Sequence, residues 1–353
     1  MQHISYEKQL EDKKNALAKS VKFEDVKVFS DSEYGYRNRM DMIFNPRGIG
    51  FREKGNWKKV VDVDECVISN EKLNRYIKEV REHFRDVEVF DLFRQTGVFR
   101  YAVIRTPRNR SSISFVLNSD STKLGGAIDK IKEFAEKTDA DNVVVTYAPK
   151  KSDVSISDDF FVVKGDEFLE DEFLGKRFRF HVQGFFQNNS VMADKMHKYV
   201  RELLKRYDTK EHELLDLYGG VGTFGIINAD LFKDVKTVES FQGCTDVANI
   251  NIELNDARNV KAICLDAKNI KKLDFSEKLF VITDPPRSGM HPKTIEQLNA
   301  LKPDVIVYVS CNIQQLAKDL PKLKEYYVKS AAVFDLFPQT IHSEGIVELI
   351  RKE

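Results

Sequence analysis

The first half of the chain alternates short apolar runs with turn-forming residues. From Val26 to about Leu117 the runs are separated by turns such as Asn45-Pro46-Arg47-Gly48, a pattern typical of antiparallel strands. Stretches rich in charged, helix-forming residues predict helices over residues 6–20, 70–84 and 123–137. Further strands are predicted over residues 142–147 and 160–163. We therefore expect residues 1–180 to form an α+β domain that begins with a helix.

The pattern changes after Gly184. A helix is predicted over residues 191–206, and apolar runs then alternate with helical segments to the end of the chain. The runs that predict strands are residues 214–217, 236–238, 261–264, 279–283, 305–309 and 331–334. Buried strands separated by helices are typical of a doubly wound, mainly parallel sheet. Residues 181–353 are therefore predicted to form a second, α/β domain.

Composition restricts the function without defining it. The 56 basic residues equal the 56 acidic ones, so a nucleic acid would have to be bound by a local basic face. No apolar run reaches the roughly 18 residues that a membrane span needs. The first residues are polar and charged, unlike a secretory signal. We expect a cytoplasmic protein, without membrane contact, and a monomer.

The four cysteines are Cys66, Cys244, Cys264 and Cys311, and they lie far apart in the sequence. No C-x-x-C pair is present, so we predict neither a zinc site nor an iron–sulfur cluster. In a reducing compartment disulfides are improbable. Three of the four are interpreted as ordinary buried residues.

A glycine-rich segment follows the first strand of the second domain. In the sequence LDLYGGVGTFG, residues 215–225, Gly220, Gly222 and Gly225 match the pattern G-x-G-x-x-G. Acidic Glu239 ends the next predicted strand, where a carboxylate can bind ribose hydroxyls. A tight turn without a ligand is the alternative. The motif predicts a nucleoside cofactor and does not distinguish a nicotinamide dehydrogenase from a methyltransferase.

Two features further on favour the methyltransferase. Asp266 follows the third strand, where an acid can bind an adenine amino group. The fourth strand ends in the sequence TDPPRSG, residues 283–289, in which two prolines fix a turn between Asp284 and Arg287. A dehydrogenase has no need of this turn, whereas methyltransferases that act on nucleic-acid bases carry it often.

A cysteine lies at the end of the next strand, on the edge where such sheets bind ligands. Cys311, in the sequence VSCN, is either a nucleophile or a small buried residue. The sequence FPQTIHSE, residues 337–344, brings His342 and Glu344 to the same edge. Taken alone, His342 fits a structural role, and Glu344 fits either role.

The order of these motifs identifies a family. FFQNN (residues 185–189), LDLYGGVGTFG, DPPRSG, VSCN and FPQTIHSE together closely resemble the RNA (uracil-5)-methyltransferase family. YEKQL at residues 6–10 and YRNRM at residues 36–40 resemble its tRNA-modifying branch. The resemblance implies a Rossmann-like S-adenosyl-L-methionine methyltransferase domain preceded by an RNA-binding domain. It also implies 5-methyluridine as the product, at the T-loop uridine 54 of tRNA.

The resemblance also implies roles for residues. Cys311 would attack uracil C6, Glu344 would remove the C5 proton, and Arg287 would assist ionisation of the thiol and hold a uracil carbonyl. Thr223 stands where we expect asparagine in related chains. The residues assigned to the cofactor are Gln187, Tyr218, Thr223, Glu239, Asp266 and Asp284.

RNA contacts are predicted in the first domain. Aromatic and basic side chains suit stacking on unpaired bases and contact with phosphates. Solvated surface charges are the alternative interpretation. The predicted contact residues are Tyr36, Arg39, Arg105 and Arg108, with Tyr34, Arg37 and Arg110 nearby.

Several alternatives stay open. The rRNA-modifying relatives often carry an N-terminal β-barrel and a four-cysteine cluster, of which only Cys66 has a counterpart here, so tRNA is favoured over 23S rRNA. An RNA cytosine-5-methyltransferase would need a second cysteine beside the proline turn, where this chain has Arg287. An RNA-binding folding factor without required catalysis is the alternative of another class.

Overall fold

The computed structural model describes residues 3–275 and 278–352. The chain forms two compact units, each continuous in space but not in sequence. The α/β unit comprises Met1–Glu33, Glu172–Arg179 and Val191–Glu353. The α+β unit comprises Tyr34–Asp171 and Phe180–Ser190. Within the described residues, none of the helices is long and apolar enough to cross a membrane.

The elements are numbered in chain order. The helices are α1 (Tyr6–Val21), α2 (Glu71–His83), α3 (Leu124–Lys137), α4 (Ser190–Leu204), α5 (Thr223–Asn228), α6 (Gln242–Leu254), α7 (Pro292–Leu301) and α8 (Ile313–Asp319). The strands of the first half are β1 (Val26–Phe29), β2 (Arg39–Asn45), β3 (Gly48–Glu53), β4 (Asn56–Asp62), β5 (Phe99–Arg105), β6 (Ser112–Asn118), β7 (Asn142–Ala148), β8 (Phe160–Lys164), β9 (Phe168–Phe173) and β10 (Lys176–His181). Those of the second half are β11 (Glu213–Leu217), β12 (Asp234–Glu239), β13 (Val260–Cys264), β14 (Leu279–Thr283), β15 (Val305–Ser310), β16 (Tyr326–Phe334) and β17 (Glu344–Arg351).

The α+β unit is a seven-stranded sheet in the order β4-β3-β2-β5-β6-β7-β8. Its neighbours are antiparallel except β6 and β7, which are parallel and are connected by α3. Side chains alternate between the two faces of a strand, so Ala102 and Ile104 join the core under α2 and α3. A bulge between Phe99 and Tyr101 brings Phe99 to the same face. Tyr101 and Val103 form a small cluster on the opposite face.

Local sequence explains where these helices begin. Asn70 caps α2, since its side chain accepts the Leu73 N–H at 2.8 Å. Ser5 caps α1 in the same way. The hairpin β9–β10 turns through Leu174 (φ 51°) and Gly175 (φ 75°), and a turn with two positive φ values matches the twist of antiparallel strands. The predicted helices and the antiparallel sheet therefore form close to where the sequence placed them.

The α/β unit has an eight-stranded sheet in the order β1-β16-β17-β15-β14-β11-β12-β13. The strands from β13 to β15 are parallel, and β17 runs antiparallel between β15 and β16. Strands β12 and β13 are added in turn on one side of β11, and β14 and β15 are then added on its other side. This reversal of direction at β11 is where doubly wound sheets bind ligands.

The N-terminal segment and the last strand differ from the sequence prediction. Residues 1–180 were expected to form one domain, but α1 and β1 belong to the α/β unit, because β1 pairs in parallel with β16. The segment Phe180–Ser190 belongs to the α+β unit instead of the second domain. Strand β17 was not predicted. Its first six residues are all buried, so both faces of the strand lie in the interior and its sequence EGIVELIR shows no clear alternation.

A buried ion pair holds α1 to the sheet. The Lys13 Nζ lies 2.7 Å from Asp335 Oδ1, and the two side chains are 5% and 1% exposed. Removing one partner of such a pair leaves the other charge buried and uncompensated. We therefore predict that Lys13→Met lowers the free energy of unfolding of the α/β unit by about 3 kcal/mol, measured by urea denaturation.

The matched control lies on the same helix. Lys8 pairs with Glu11 at the surface, where both side chains are more than half exposed. Exposed pairs contribute little, so Lys8→Met should leave the unfolding transition almost unchanged. Equal effects of the two substitutions would contradict the role of the buried pair.

Candidate active site

The glycine-rich loop follows β11 and turns sharply into α5. Tyr218, Gly220 and Gly222 have φ values of 63°, 54° and 86°, a region that favours glycine. A Cβ built on Gly220 would meet no atom within 4 Å, so open space lies beside the loop at this residue. The loop can therefore bring its backbone close to a ligand.

Asp216 is a site residue that the sequence interpretation missed. It lies within β11, is 1% exposed, and accepts the Gly225 N–H at 2.9 Å and the Thr237 hydroxyl at 3.3 Å. A Cβ on Gly225 would come within 2.4 Å of Thr237 Oγ1. Burial raises the pKa of Asp216 to about 7, and the charge of Glu239 adds to this shift. The feature of the sequence that could have indicated this residue is an acidic side chain within an otherwise apolar strand.

Glu239 ends β12 beside the loop, as predicted from the sequence. Its Oε2 accepts the Gly220 N–H at 3.2 Å, and its Oε1 accepts the N–H groups of Ser240 at 2.7 Å and Phe241 at 3.0 Å. These bonds fix a carboxylate next to the open space at Gly220. A carboxylate held in this way can accept hydrogen bonds from vicinal hydroxyl groups.

The other residues assigned to the cofactor in this unit differ in their surroundings. The Tyr218 ring packs against the core, and burial raises the pKa of its hydroxyl. Thr223 is the half-buried first residue of α5. Asp266 caps a 3₁₀ turn, where it accepts the Lys268 N–H at 2.9 Å and pairs with Lys268 Nζ at 2.9 Å. The Lys268 contacts lower the pKa of Asp266.

The DPPRSG turn starts at β14, next to the loop strand. The Asp284 N–H bonds to the Leu217 carbonyl at 3.2 Å, which ties the turn to the end of β11. Burial, with a further contribution from the charge of Asp216, raises the pKa of Asp284 to about 7. The Arg287 side chain is exposed, and its carbonyl accepts from Asn312 Nδ2 at 2.9 Å. The turn is thus joined to the segment after Cys311.

Strand register brings Cys311 and Glu344 together. In the antiparallel pair β15–β17, Ser310 lies opposite Gly345. Cys311 directly follows β15 and Glu344 is the first residue of β17, so the two lie near each other at the end of the sheet. Glu344 is 6% exposed, and burial raises its pKa to about 8.

The thiol of Cys311 is held in its protonated form by its surroundings. Burial and the charges of Glu344 and Asp284 raise its pKa to about 11, and Arg287 acts in the opposite direction. The expected assistance from Arg287 is therefore present, but it is outweighed. Ionisation of Cys311 needs a change in this balance, such as a further positive charge nearby.

His342 fixes the position of Arg287. An Arg287 Nη2 lies 2.9 Å from His342 Nδ1. Because a guanidinium group only donates, His342 must accept through Nδ1 and carry its proton on Nε2. Burial and the charge of Arg287 lower the pKa of His342, which keeps the ring neutral.

A cavity of about 510 Å³ opens at these residues. Cys311, Arg287 and His342 line it together with Ala16, Lys19 and other residues of the last turns of α1. The sequence interpretation assigned α1 to the first domain and did not expect it in this wall. The contact is long-range, and nothing in the pattern of α1 indicates it.

The remaining predicted residues lie in the α+β unit. Gln187 is half-buried, and its carbonyl accepts from Asn38 Nδ2 at 3.3 Å. Tyr36 is also half-buried. Arg39 makes two hydrogen bonds to Asp41, at 2.8 and 3.0 Å, and Arg108 donates to the Ser190 carbonyl at 3.2 Å.

The prediction that Arg105 contacts phosphate is wrong. Arg105 is 2% exposed, and its Nη1 donates to the carbonyl oxygens of Val182 at 2.9 Å and Gly184 at 2.7 Å. The guanidinium thus fixes the segment before FFQNN. Its neighbour in the sequence cluster, Arg110, is partly exposed and pairs with Asp166 at 2.5 Å. Within residues 3–275 and 278–352, no three His, Cys, Asp or Glu side chains are grouped so as to hold a metal ion.

The sheet order, the glycine loop at the reversal point and the acids around it define the class. They are the features of a Rossmann-like methyltransferase that uses a nucleoside cofactor. Residues 5–352 match the family model described as tRNA (Uracil-5-)-methyltransferase. The chain belongs to this family and is a methyltransferase.

Individual relatives agree with the family. The chain is 34% identical to the tRNA (uracil(54)-C(5))-methyltransferases of Pyrococcus abyssi and Pyrococcus furiosus, over 99% of this chain and 82% of each relative. The crystal structure of the P. abyssi tRNA (uracil-54, C5)-methyltransferase in complex with S-adenosyl-L-homocysteine superposes with a TM-score of 0.83. Its sequence is 32% identical, and the match covers 99% of this chain and 84% of that one. The predicted family, fold and S-adenosyl-L-methionine cofactor are confirmed.

The electrostatics of Cys311 can be tested by alkylation. Glu344 raises the pKa of the thiol and Arg287 lowers it. At pH 9, where wild-type Glu344 is mostly ionised, Glu344→Gln should therefore speed reaction of Cys311 with iodoacetamide by roughly tenfold, since one neighbouring charge shifts a pKa by about one unit or more. Arg287→Gln should slow it.

Peptide mass spectrometry separates Cys311 from the exposed Cys264, whose alkylation rate should be the same in all three proteins. A Glu344→Gln protein whose Cys311 reacts at the wild-type rate, or more slowly, would contradict the assigned interaction.

Proposed function

We propose that this chain transfers a methyl group from S-adenosyl-L-methionine to C5 of uridine 54 in tRNA, through a covalent bond between Cys311 and C6 of the base. The observation that carries the proposal is the register of β15 and β17, which puts Cys311 beside the buried Glu344. A nucleophile and a base at one end of a sheet, with Arg287 lining the same cavity, suit this chemistry.

The loop residues fit a positively charged cofactor. Glu239 would accept hydrogen bonds from the ribose hydroxyls beside Gly220. Asp216 and Asp284 place further carboxyl groups at the same edge of the sheet. Such a site favours a sulfonium and an ammonium group, whereas the pyrophosphate of a dinucleotide would be repelled. We also assign Tyr218, Thr223, Asp266 and Gln187 to this cofactor, Asp266 through the adenine amino group.

Attack on the base comes first. C5 of uracil is a weak nucleophile, and a bond from the Cys311 sulfur to C6 moves an electron pair towards C5 and the adjacent carbonyl. Arg287, held by His342, would stabilise the negative charge on that carbonyl oxygen. The cofactor, when bound, supplies an electrophilic methyl group to C5 and a positive charge close to the thiol.

That positive charge has a consequence for Cys311. Burial, together with the charges of Glu344 and Asp284, raises the pKa of the thiol to about 11. A cation between these groups would offset their effect and lower the pKa. In this scheme, Cys311 becomes a nucleophile once the cofactor is in place, which protects the thiol from other electrophiles.

Release of the product needs a base. After methyl transfer C5 carries both a methyl group and its original proton. The carboxylate of Glu344 would take that proton, the electron pair would re-form the C5–C6 double bond, and the Cys311 sulfur would leave as thiolate. The raised pKa of Glu344, about 8, makes it a stronger base than an exposed carboxylate.

The target is proposed from the relatives. The P. abyssi and P. furiosus enzymes are named for uracil 54 of tRNA, and the match covers 99% of this chain. Position 54 lies in a loop, where a base can be turned out of its stack into a cavity. Uridine in 23S rRNA is the alternative target with the same chemistry.

The order of steps predicts different behaviour for two variants. Cys311→Ala should abolish both methylation and any covalent complex with RNA. Glu344→Gln should still transfer the methyl group but accumulate a protein–RNA adduct that survives denaturing electrophoresis, because proton removal comes last. RNA with 5-fluorouridine should trap the wild type, since fluorine does not leave as a cation.

The matched control is Cys264→Ala, which removes an exposed thiol of the same unit and should trap and methylate like the wild type. Trapping by the Cys311→Ala protein on fluorinated RNA would exclude the proposed nucleophile.

The target can be tested with two RNAs. A tRNA transcript should gain one methyl group per molecule, and the same transcript with cytidine at position 54 should gain none. Mass spectrometry of the digested nucleosides would identify 5-methyluridine. Methylation of the cytidine variant at another uridine, or preferred methylation of a 23S rRNA transcript, would contradict the proposed target.

A further inference from the structure

Two exposed aromatic rings lie side by side on the α+β unit and have no part in the site described above. Trp57 in β4 is 55% exposed, and Phe93 in the loop before β5 is 62% exposed. Their ring centroids are 5.9 Å apart, with an interplanar angle of 30°. Neither ring belongs to the core of the unit. Large apolar side chains that gather on a surface mark an interaction site more often than isolated ones do.

Both rings are presented by short, ordered turns. Trp57 follows the tight turn between β3 and β4, in which Gly55 has a φ of 82°. Its carbonyl accepts from Arg52 Nη1 at 2.6 Å. Asp91 holds the loop of Phe93 by accepting the N–H groups of Phe93 at 2.8 Å and Arg94 at 3.0 Å. These bonds hold the backbone that carries the two rings, which reduces the conformational entropy lost when a ligand binds.

The side chains around the rings carry both signs of charge, and Lys58 is the base that lies close to both rings. The Lys58 Nζ lies 5.7 Å from the centroids of both rings. A cavity of about 900 Å³, which Phe93 helps to line, has five basic side chains, Lys58 among them, and four acidic side chains in its wall. Two of these bases are paired with acids, Arg52 with Asp153 and Lys59 with Glu53, both at 2.7 Å. Residues 52–59 contain four basic side chains and one acid. Two exposed rings with the Lys58 ammonium near both match an unpaired base and an adjacent phosphate.

A second explanation exists for part of the surface. Strand β4 is an edge strand, and lysines on edge strands prevent association between sheets. That role accounts for Lys58 and Lys59 but not for an exposed tryptophan, which favours association. It accounts even less for Phe93, which lies outside the strand. The aromatic pair therefore needs a partner that stacks.

We infer that Trp57, Phe93 and Lys58 form an RNA-stacking platform that contacts an unpaired base and an adjacent phosphate of the substrate. This inference rests on the proposed function, because it takes the substrate to be a folded RNA. The platform adds affinity for the RNA and takes no part in the chemistry at Cys311. It is separate from Tyr36, Arg39 and Arg108, the residues that the sequence predicted for RNA contact.

The chain offers a direct probe, since Trp57 is its single tryptophan. Titration of the full-length protein with a tRNA transcript should quench or shift the tryptophan fluorescence if a base stacks on the ring. The fluorescence should stay unchanged on titration with S-adenosyl-L-methionine alone. An RNA titration that saturates without any change in the emission of Trp57 would overturn the platform.

Variants measure what the platform contributes. Trp57→Ala and Phe93→Ala should each raise the KM for the tRNA transcript by about tenfold, the usual effect of losing one base–aromatic stack. Trp57→Phe should restore most of the loss, because a smaller ring still stacks. The kcat and the affinity for the cofactor should stay at wild-type values, which would show that the exposed substitutions leave the fold intact.

The charged residue has a matched control. Lys58→Gln should weaken RNA binding and reduce its dependence on salt, since one phosphate contact is lost. Lys132, on α3 of the same unit, is 59% exposed and lies outside the platform. Lys132→Gln removes the same charge and should leave both quantities unchanged. Equal effects of the two lysine variants would show that RNA binding responds only to the total charge of the protein, and this result would overturn the platform.

The outcomes separate this inference from the proposed function. If the wild type fails to methylate tRNA, the proposed function is wrong. If the wild type methylates tRNA and the Trp57→Ala and Phe93→Ala proteins keep the wild-type KM, only the platform is wrong. Protein binding at the exposed edge of β4 would then be the better explanation for the two rings.

Discussion

The site depends on one structural constraint, the insertion of β17 in the opposite direction between β15 and β16. Parallel strands bring only their carboxyl ends to the ligand-binding edge of a sheet. Because β17 is antiparallel, its amino end reaches the same edge, and Glu344 comes to lie beside Cys311. Two groups that are 33 residues apart in the sequence thereby share one environment. A parallel strand in the same place would have turned Glu344 to the opposite edge.

The position of β17 also brings several buried carboxyl groups close together, which is electrostatically unfavourable. Buried Glu344 joins Asp284 and Asp216, and the pKa values of the three carboxyl groups rise to about 8, 7 and 7. A folded state with raised carboxyl pKa values is relatively more stable at low pH and loses that stability as the pH rises through about 7 to 8. Groups whose pKa values are shifted in this way occur often at functional sites. The raised pKa values of these acids therefore support the roles proposed for them.

Local patterns predicted much of the fold and the positions of Cys311, Glu344, Glu239 and Asp284 at the ends of their strands. The glycines of the loop, the prolines after Asp284 and the short motifs around Cys311 and Glu344 are defined by neighbouring residues, so their conformation follows from the sequence. Residues whose role depends on distant partners were not predictable. Asp216 lies in a sequence that predicts only an apolar strand. Strand β1 pairs with β16, about 300 residues away. The sequence around Arg105 predicts a cation at the surface. The carbonyl groups that accept its hydrogen bonds belong to a segment that begins more than 70 residues later.

The N-terminal helix shows how such distant contacts reach the chemistry. Lys13 pairs with Asp335 and also donates to the Phe337 carbonyl at 3.4 Å, while Gln9 donates to Gln339 Oε1 at 3.0 Å. These bonds hold the segment that leads to His342, and His342 in turn holds Arg287 at the cavity of Cys311. Helix α1 also forms part of the wall of this cavity. The first residues of the chain thus support its last strand, and α1 belongs to the catalytic unit for a physical reason: without it the FPQTIHSE segment would lose the groups that fix its position.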